Sequence, residues 1–382
     1  MMTPMAPAAT VRERLAALTA RGSLVQEEGE KLRCVACGHR CLLGEGKEGV
    51  CRVRFVRDGE LRVPWGYVAS IAADPIEKKP FFHVLPGATA LSFGMLGCDY
   101  KCPYCQNWEI SQTLRDTAAD AWASPREVSP AGIVSAALAE GADMVTSTYN
   151  EPLITSEWAA SVFAEARRAG LMTSFVSNGN ATPEVLDFLR PLVDAYKVDL
   201  KGMREEGYRA VGGRLSVVLD SLAGLVARGF WVEVVTLVVP GHNDSEGELR
   251  DAARFLVSLS PDLPWHVTAF HPDYRMSGTA ATPLSTLARA AEIGREEGLR
   301  YVYTGNVPGR VGGGETTSCA SCGETLVERR GFRVVASRIG GDGCCPGCRL
   351  RAPGIWARGA APIPLGRKLS PGTAPEGGKA PN

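Results

Sequence analysis

Cys98-x3-Cys102-x2-Cys105, inside the run Gly97-Cys98-Asp99-Tyr100-Lys101-Cys102-Pro103-Tyr104-Cys105-Gln106-Asn107-Trp108, places three thiols in one tight loop. A [4Fe–4S] cluster takes four cysteine ligands. A loop that offers three leaves one iron free for an exogenous ligand, and that open iron is where chemistry can happen. The competing reading of the same spacing is a structural zinc loop that borrows a distant fourth ligand.

The other cysteines fall into two sets. Cys34-x2-Cys37-x3-Cys41-x9-Cys51, around Gly44, Gly46 and Gly49, supplies four ligands on a Gly-rich loop, with His39 as a substitute for one of them. Thiolates in that number suit either a structural zinc or an auxiliary cluster that passes electrons. Zinc is favoured, because nothing nearby marks a second reactive site. Cys319-x2-Cys322 and Cys345-x2-Cys348, 22 residues apart, have the spacing of a zinc ribbon, with Cys344 as an alternative to Cys345.

Cysteines in short-spaced clusters, in a chain with no secretory apolar segment, read as metal ligands in a reducing compartment, and the expected location is cytoplasmic. No run approaches the roughly 18 apolar residues that span a bilayer. Lys plus Arg and Asp plus Glu number 42 each, so the charge balance favours neither nucleic acid nor an anionic membrane as partner. The 45% hydrophobic content is ample for a core in 382 residues.

Positioning the three-thiol loop falls to the centre of the chain. Apolar strand-like runs at Ala90–Met95, Asp143–Thr148, Thr173–Ser177, Ala195–Leu200, Trp231–Val239 and Trp265–Phe270 alternate with helical patterns, the signature of parallel β/α units. Ser129-Pro130, Thr182-Pro183 and Thr282-Pro283 each set a capping residue before a proline, and Ser245 with Glu248 has capping-box spacing. A surface helix is expected within Val11–Leu24. Six units do not close an eight-stranded barrel, so the expected class is α/β, a partial (β/α)6 TIM-like barrel with its site at the C-terminal ends of the strands. The expected organisation is a four-cysteine metal-binding segment over 1–88, the barrel over 89–308, a zinc-ribbon-like module over 309–358 and a disordered tail over 359–382.

The C-x3-C-x2-C loop with an aromatic before its third cysteine resembles that of the radical S-adenosylmethionine (SAM) enzymes. Leu91-Ser92-Phe93-Gly94 before it and Cys105-Gln106-Asn107-Trp108-Glu109-Ile110-Ser111-Gln112 across its end resemble the AmmeMemoRadiSam-system radical SAM enzymes, relatives of the pyruvate formate-lyase activases, and the similarity runs from about Cys34 to Trp356. The resemblance implies the radical SAM core as the fold. It implies that SAM chelates the fourth iron and is cleaved reductively to methionine and a 5′-deoxyadenosyl radical. It also implies an electron donor such as flavodoxin or ferredoxin, and partnership with the two other proteins of that system.

On the same resemblance, Tyr149-Asn150-Glu151-Pro152 matches a Gly-Gly-Glu-Pro element in which the carboxylate accepts bonds from SAM's ammonium, with Tyr and Asn in place of the glycines. Glu151 as a helix-terminal acid is the competing reading. Ser177-Asn178-Gly179 matches segments that contact the ribose or methionine of SAM, although Asn-Gly is also a plain turn signal. Val198-Asp199-Leu200-Lys201 resembles the activases' Asp-Leu-Lys segment, with Asp199 for ribose hydroxyls and Lys201 for SAM's carboxylate, against two charges that merely solvate a loop. His271 lies where related enzymes place a ribose-contacting histidine, and His266 reads as structural. Tyr301–Gly309 matches a segment expected to wall the substrate space.

Three functions follow. The first is a radical SAM enzyme that takes hydrogen from a substrate. The second is a glycyl-radical-enzyme activase, whose substrate is a backbone glycine. The third, a non-enzymatic zinc or iron–sulfur protein on nucleic acid, is disfavoured by the neutral charge and the lack of an aromatic-interleaved basic run.

Overall fold

The computed structural model describes residues 10–120 and 124–366. Its centre is an eight-stranded sheet made of β1 (Ser70–Pro75), β2 (Thr89–Gly94), β3 (Met144–Ser147), β4 (Met172–Ser177), β5 (Ala195–Asp199), β6 (Trp231–Val238), β7 (Trp265–Ala269) and β8 (Val302–Gly305). The strands lie side by side in chain order. β1 pairs antiparallel with β2, and every other pairing is parallel. Strands buried on both faces read as near-continuous apolar runs, which is why β6, Trp-Val-Glu-Val-Val-Thr-Leu-Val, was legible.

Two expectations change. The parallel strands number seven rather than six, because β8 adds a unit after β7. At four residues, β8 is too short for its alternation to stand out from the Tyr301–Gly309 segment that contains it. The sheet also reaches back across residue 88, since β1 pairs with β2 along its whole length.

Helix starts follow the cap chemistry in part. Ser129 Oγ accepts from the Gly132 amide at 3.0 Å and Thr182 Oγ1 from Val185 at 3.2 Å, each heading a helix with proline in its first turn. Thr282 does not cap. Its hydroxyl accepts from the Phe270 amide at 2.7 Å and donates to the Val238 carbonyl at 2.6 Å, which ties the ends of β6 and β7 together. The Ser245 box is half formed, because the Glu248 carboxylate takes the Met203 amide at 2.6 Å. The N-terminal helix stops at Ala17, and Thr19–Arg21 becomes a strand on Glu60–Pro64.

The two ends of the sheet differ. At the strand starts, Ala90, Met144, Met172, Ala195 and Trp231 pack with Ile76, Phe81, Val84 and Ile355 in one buried cluster. Burial of the Met, Ile, Phe and Val side chains among them stabilises by about 1.5–3 kcal/mol each. Residues 317–337 form a small antiparallel sheet that docks on this end. Arg329 enters the core from it, donating to Glu77 at 3.2 Å, Thr317 at 2.8 Å and the Phe82 carbonyl at 2.6 Å. Beyond it, Ile363 pairs with Gly354 and the Gly366 amide meets Asp262, so 359–366 is ordered chain rather than the expected loose tail. Residues 367–382 of that tail lie outside the described residues.

Candidate active site

The strand C-termini open on a cavity of about 400 Å³. β2 ends at Gly94, where an added Cβ would stand 2.6 Å from the Thr148 carbonyl oxygen, so only glycine lets β2 and β3 approach there. Gly97 then turns the chain at φ +93° into the cysteine loop. Cys98, Cys102 and Cys105 all line the cavity, and no fourth cysteine does. Burial pushes all three thiols up, Cys102 to about 12.

Around them stand most of the residues the sequence singled out: Tyr149, Asn150, Glu151, Ser177, Asn178, Asp199 and Lys201 line the same cavity. His271 does not. It is exposed, and its Nδ1 accepts from Gln106 at 3.1 Å, so it reaches the site only through that cavity residue. Asn306, in the segment expected to wall the substrate space, is part of the lining.

Glu151 is buried and caps the short 3-10 helix Pro152–Thr155. Its Oε1 accepts from the Leu153 amide at 3.0 Å and from Ser177 Oγ at 2.7 Å, and its Oε2 accepts from the Asn178 amide at 2.6 Å. A carboxylate offers about four acceptor positions, so one on Oε2 is left for a donor in the cavity. Burial, with neighbouring Asp99, raises its pKa to about 8. A cationic donor would restore the anion.

Ser177 and Asn178 serve the site internally. Asn178 also holds Asp99, whose carboxylate accepts from Asn178 Nδ2 at 2.7 Å and from Asn180 Nδ2 at 2.8 Å. Asp99 lies between the first two loop cysteines and is buried, so these amides fix the loop against β4. Sequence reasoning missed it. A charged residue trapped in a cysteine loop, with Asn178 and Asn180 elsewhere in the chain, was the available signal.

Tyr149 sits at φ 72°, the left-handed region that glycine occupies at no cost. Its hydroxyl accepts from Lys79 Nζ at 3.2 Å, and that ammonium also lies 4.7 Å from its ring centroid. On β5, Asp199 bonds Lys197 and lies 3.7 Å from Lys201 Nζ. Burial alone would raise the Asp199 carboxyl, but the two lysines hold it below its ordinary value. Lys78, Lys79, Lys197 and the exposed Phe332 also line the cavity and were not anticipated. Lys78 and Lys79 come from the cysteine-rich first block and Phe332 from the C-terminal hairpin, so distant segments build one site.

The C-terminal quartet has a different geometry. Thiols of Cys319, Cys322, Cys345 and Cys348 all lie within 4.8 Å of one another, with Cys319–Cys348 and Cys322–Cys345 at 3.6 Å. Tetrahedral metal–sulfur bonds of about 2.3 Å place thiolates about 3.8 Å apart, so one ion fits. Cys344 is outside this group and faces Asp342.

Comparison with known proteins agrees with the cavity. Residues 94–256 match the model of the radical SAM superfamily. An uncharacterized protein of Methanocaldococcus jannaschii is 37% identical over 309 residues, covering 80% of this chain and 90% of the archaeal one. The isethionate sulfite-lyase activating enzyme of Oleidesulfovibrio alaskensis is 28% identical over 128 residues, 32% of this chain and 41% of that enzyme. Among solved structures, a domain of the pyruvate-formate lyase-activating enzyme of Bacteroides vulgatus aligns with a TM-score of 0.38 at 19% identity, over 42% of this chain and 98% of that domain. The chain belongs to the radical SAM superfamily, whose enzymes use a [4Fe–4S] cluster and SAM. Three thiols on a cavity that also presents an acceptor position and four lysines suit that pair. Among the described residues no single helix is long and apolar enough to cross a membrane.

Proposed function

We propose that this chain cleaves SAM reductively at Cys98, Cys102 and Cys105 and abstracts hydrogen from a substrate that enters past Lys78 and Phe332. The observation that carries the reading is the three-thiol loop opening on a cavity that contains no fourth cysteine. When bound, the cluster and SAM supply a carbon radical able to take a hydrogen atom.

In this reading Glu151 Oε2 receives SAM's ammonium, Lys201 meets its carboxylate and Asp199 accepts from the ribose. Ser177 and Asn178 position Glu151, and Asp99 with Asn178 and Asn180 holds the cysteine loop. Tyr149 and Asn150 anchor the turn that carries Glu151, the latter by accepting from the Met95 amide at 3.0 Å. His271 steers Gln106 at the rim. The sheet curves as a partial barrel around the cavity, and the C-terminal quartet is a zinc ribbon. The division 1–88, 89–308, 309–358 and 359–382 is kept as an order of chain segments, all but the last of which contribute to one site.

The resemblance to AmmeMemoRadiSam-system enzymes supports partnership with the two other proteins of that system, and a flavodoxin or ferredoxin is the fitting electron donor. Twelve cysteines gathered in short-spaced sets support a reducing, cytoplasmic setting. A second reading, a glycyl-radical-enzyme activase, is favoured by the match to the isethionate sulfite-lyase activating enzyme. Anaerobic reconstitution, reduction and measurement of 5′-deoxyadenosine test the common core: Cys98→Ala, Cys102→Ala and Cys105→Ala each abolish SAM cleavage. Cleavage retained by the triple alanine variant overturns the assignment.

A further inference from the structure

The N-terminal quartet lacks the geometry of a single ion. Cys34, Cys37 and Cys51 are buried and Cys41 half-buried, with the Cys34 amide bonded to the Cys41 carbonyl at 2.9 Å. Yet no three of these thiols lie within 4.8 Å of one another, whereas the C-terminal four do. The same openness holds for Cys98, Cys102 and Cys105. Thiolates on one tetrahedral ion must stand about 3.8 Å apart. Ligands of a four-iron cube bind separate irons at its corners and are spread by the width of the cube.

A second observation concerns donors. Arg54 is 1% exposed. Its Nη1 and Nη2 are taken by Glu157 at 2.7 and 2.8 Å, and Nη1 also by the Ile154 carbonyl at 3.1 Å. Arg54 Nε has no partner, and neither does the buried Nε2 of His39, two residues past Cys37. A buried unsatisfied N–H costs about 1–3 kcal/mol. The guanidinium lies close enough to Cys34 and Cys51 to feel their charge, and cluster sulfurs accept hydrogen bonds from N–H donors beside them.

The quartet also abuts the cavity loop. An added Cβ on Gly97 would stand 3.3 Å from the Cys51 carbonyl oxygen and 2.9 Å from Val53. The Gly38 amide donates to Asn180 at 2.7 Å, and the His39 ring stands edge-on to Tyr100, centroids 6.3 Å apart.

We propose that Cys34, Cys37, Cys41 and Cys51 hold a second [4Fe–4S] cluster, with Arg54 Nε donating to it, packed directly behind the SAM-cleaving loop. This departs from the zinc that the sequence favoured. Metal and sulfide analysis of the anaerobically reconstituted full chain is expected to give about eight irons and one zinc. The Cys98→Ala/Cys102→Ala/Cys105→Ala variant keeps about four irons and a reduced-cluster paramagnetic signal, and Cys34→Ala/Cys51→Ala keeps the other four. Arg54→Lys is expected to shift the reduction potential of the iron retained by the triple variant. About four irons and two zincs in the unaltered chain, with an iron-free triple variant, overturns the second cluster while leaving SAM cleavage intact. A chain that takes up no iron overturns both readings, and the wild-type ratio decides even if a variant fails to fold.

Discussion

The cysteine loop at the cavity and the C-terminal quartet use the same ligand to opposite ends. One set turns its thiols outward onto a cavity with lysines and Glu151. The other draws four thiols within 4.8 Å of one another, close enough to hold a single ion between them. Reactivity here is a matter of what the surrounding elements leave open. Strand C-termini leave a cavity, whereas the hairpin Thr325–Arg330 and Arg333–Ser337 closes on its own knuckles and becomes a plug for the opposite end of the sheet.

The largest effect that sharpens this contrast is expected at Cys345, which is fully buried. Cys345→Ser should release the C-terminal metal and cost about 5 kcal/mol or more of stability, a fraction of the roughly 10–16 kcal/mol by which structural zinc folds a small domain. Zinc content and melting temperature are the readouts. Iron content should stay unchanged, and a loss of iron along with zinc would break the division between the two sites.

Next comes the plug itself. Arg329→Met leaves Glu77 buried and unpaired, at a cost of about 3–5 kcal/mol. Urea denaturation measures it, and Glu77→Gln in the same chain should recover part of the loss. If Arg329→Met is neutral, the C-terminal module rests on the sheet without bracing it.

At the open end, Glu151→Gln keeps the shape and removes the charge. Loss of a charge-assisted bond of roughly 1.5–3 kcal/mol should weaken SAM binding about tenfold to a hundredfold with the cluster intact. Calorimetric titration of SAM checks this; wild-type affinity would mean that Glu151 only caps Pro152–Thr155.

The smallest effect is a pH dependence at the closed end. His83 Nδ1 bonds the Pro353 carbonyl at 2.7 Å and Nε2 bonds Tyr303 at 2.6 Å. Burial lowers its pKa from 6.5 to about 4. The unfolded chain therefore takes the proton first, so this contribution is complete above about pH 6.5 and is lost as pH falls toward 4, about 2 kcal/mol of it by pH 5. His266, also lowered by burial, acts in the same direction. Denaturation midpoints at pH 7.5 and 5 should converge in His83→Gln, and an unchanged slope would remove His83 from the account.

Much of the site was legible because its signals are local. Cysteine spacing is fixed by a few bonds, and a polar residue after an apolar run marks a strand end whatever the sheet does. The chain alone therefore pointed to Cys98, Cys102, Cys105, Glu151, Asp199 and Lys201 as residues of one mouth. His271 stands at the rim, bonded to the lining residue Gln106 at 3.1 Å. Glu233 was invisible: a lone acid in β6, it proves to be the buried acceptor for His266 at 2.7 Å and for the Phe82 and His83 amides at 2.9 Å.

By itself the sequence determined the grouping of the cysteines, the parallel α/β class and the capping chemistry that starts the helices at Pro130 and Pro183, all of which depend on neighbours within a few residues. Only the tertiary structure decided that Lys79 and Phe332 share a cavity, that Arg329 crosses into the core to reach Glu77, and that one quartet closes while the other stays open. These depend on where distant segments meet, because the burial that makes a charge pair or seats a thiol belongs to the packed molecule and to no stretch of the chain alone.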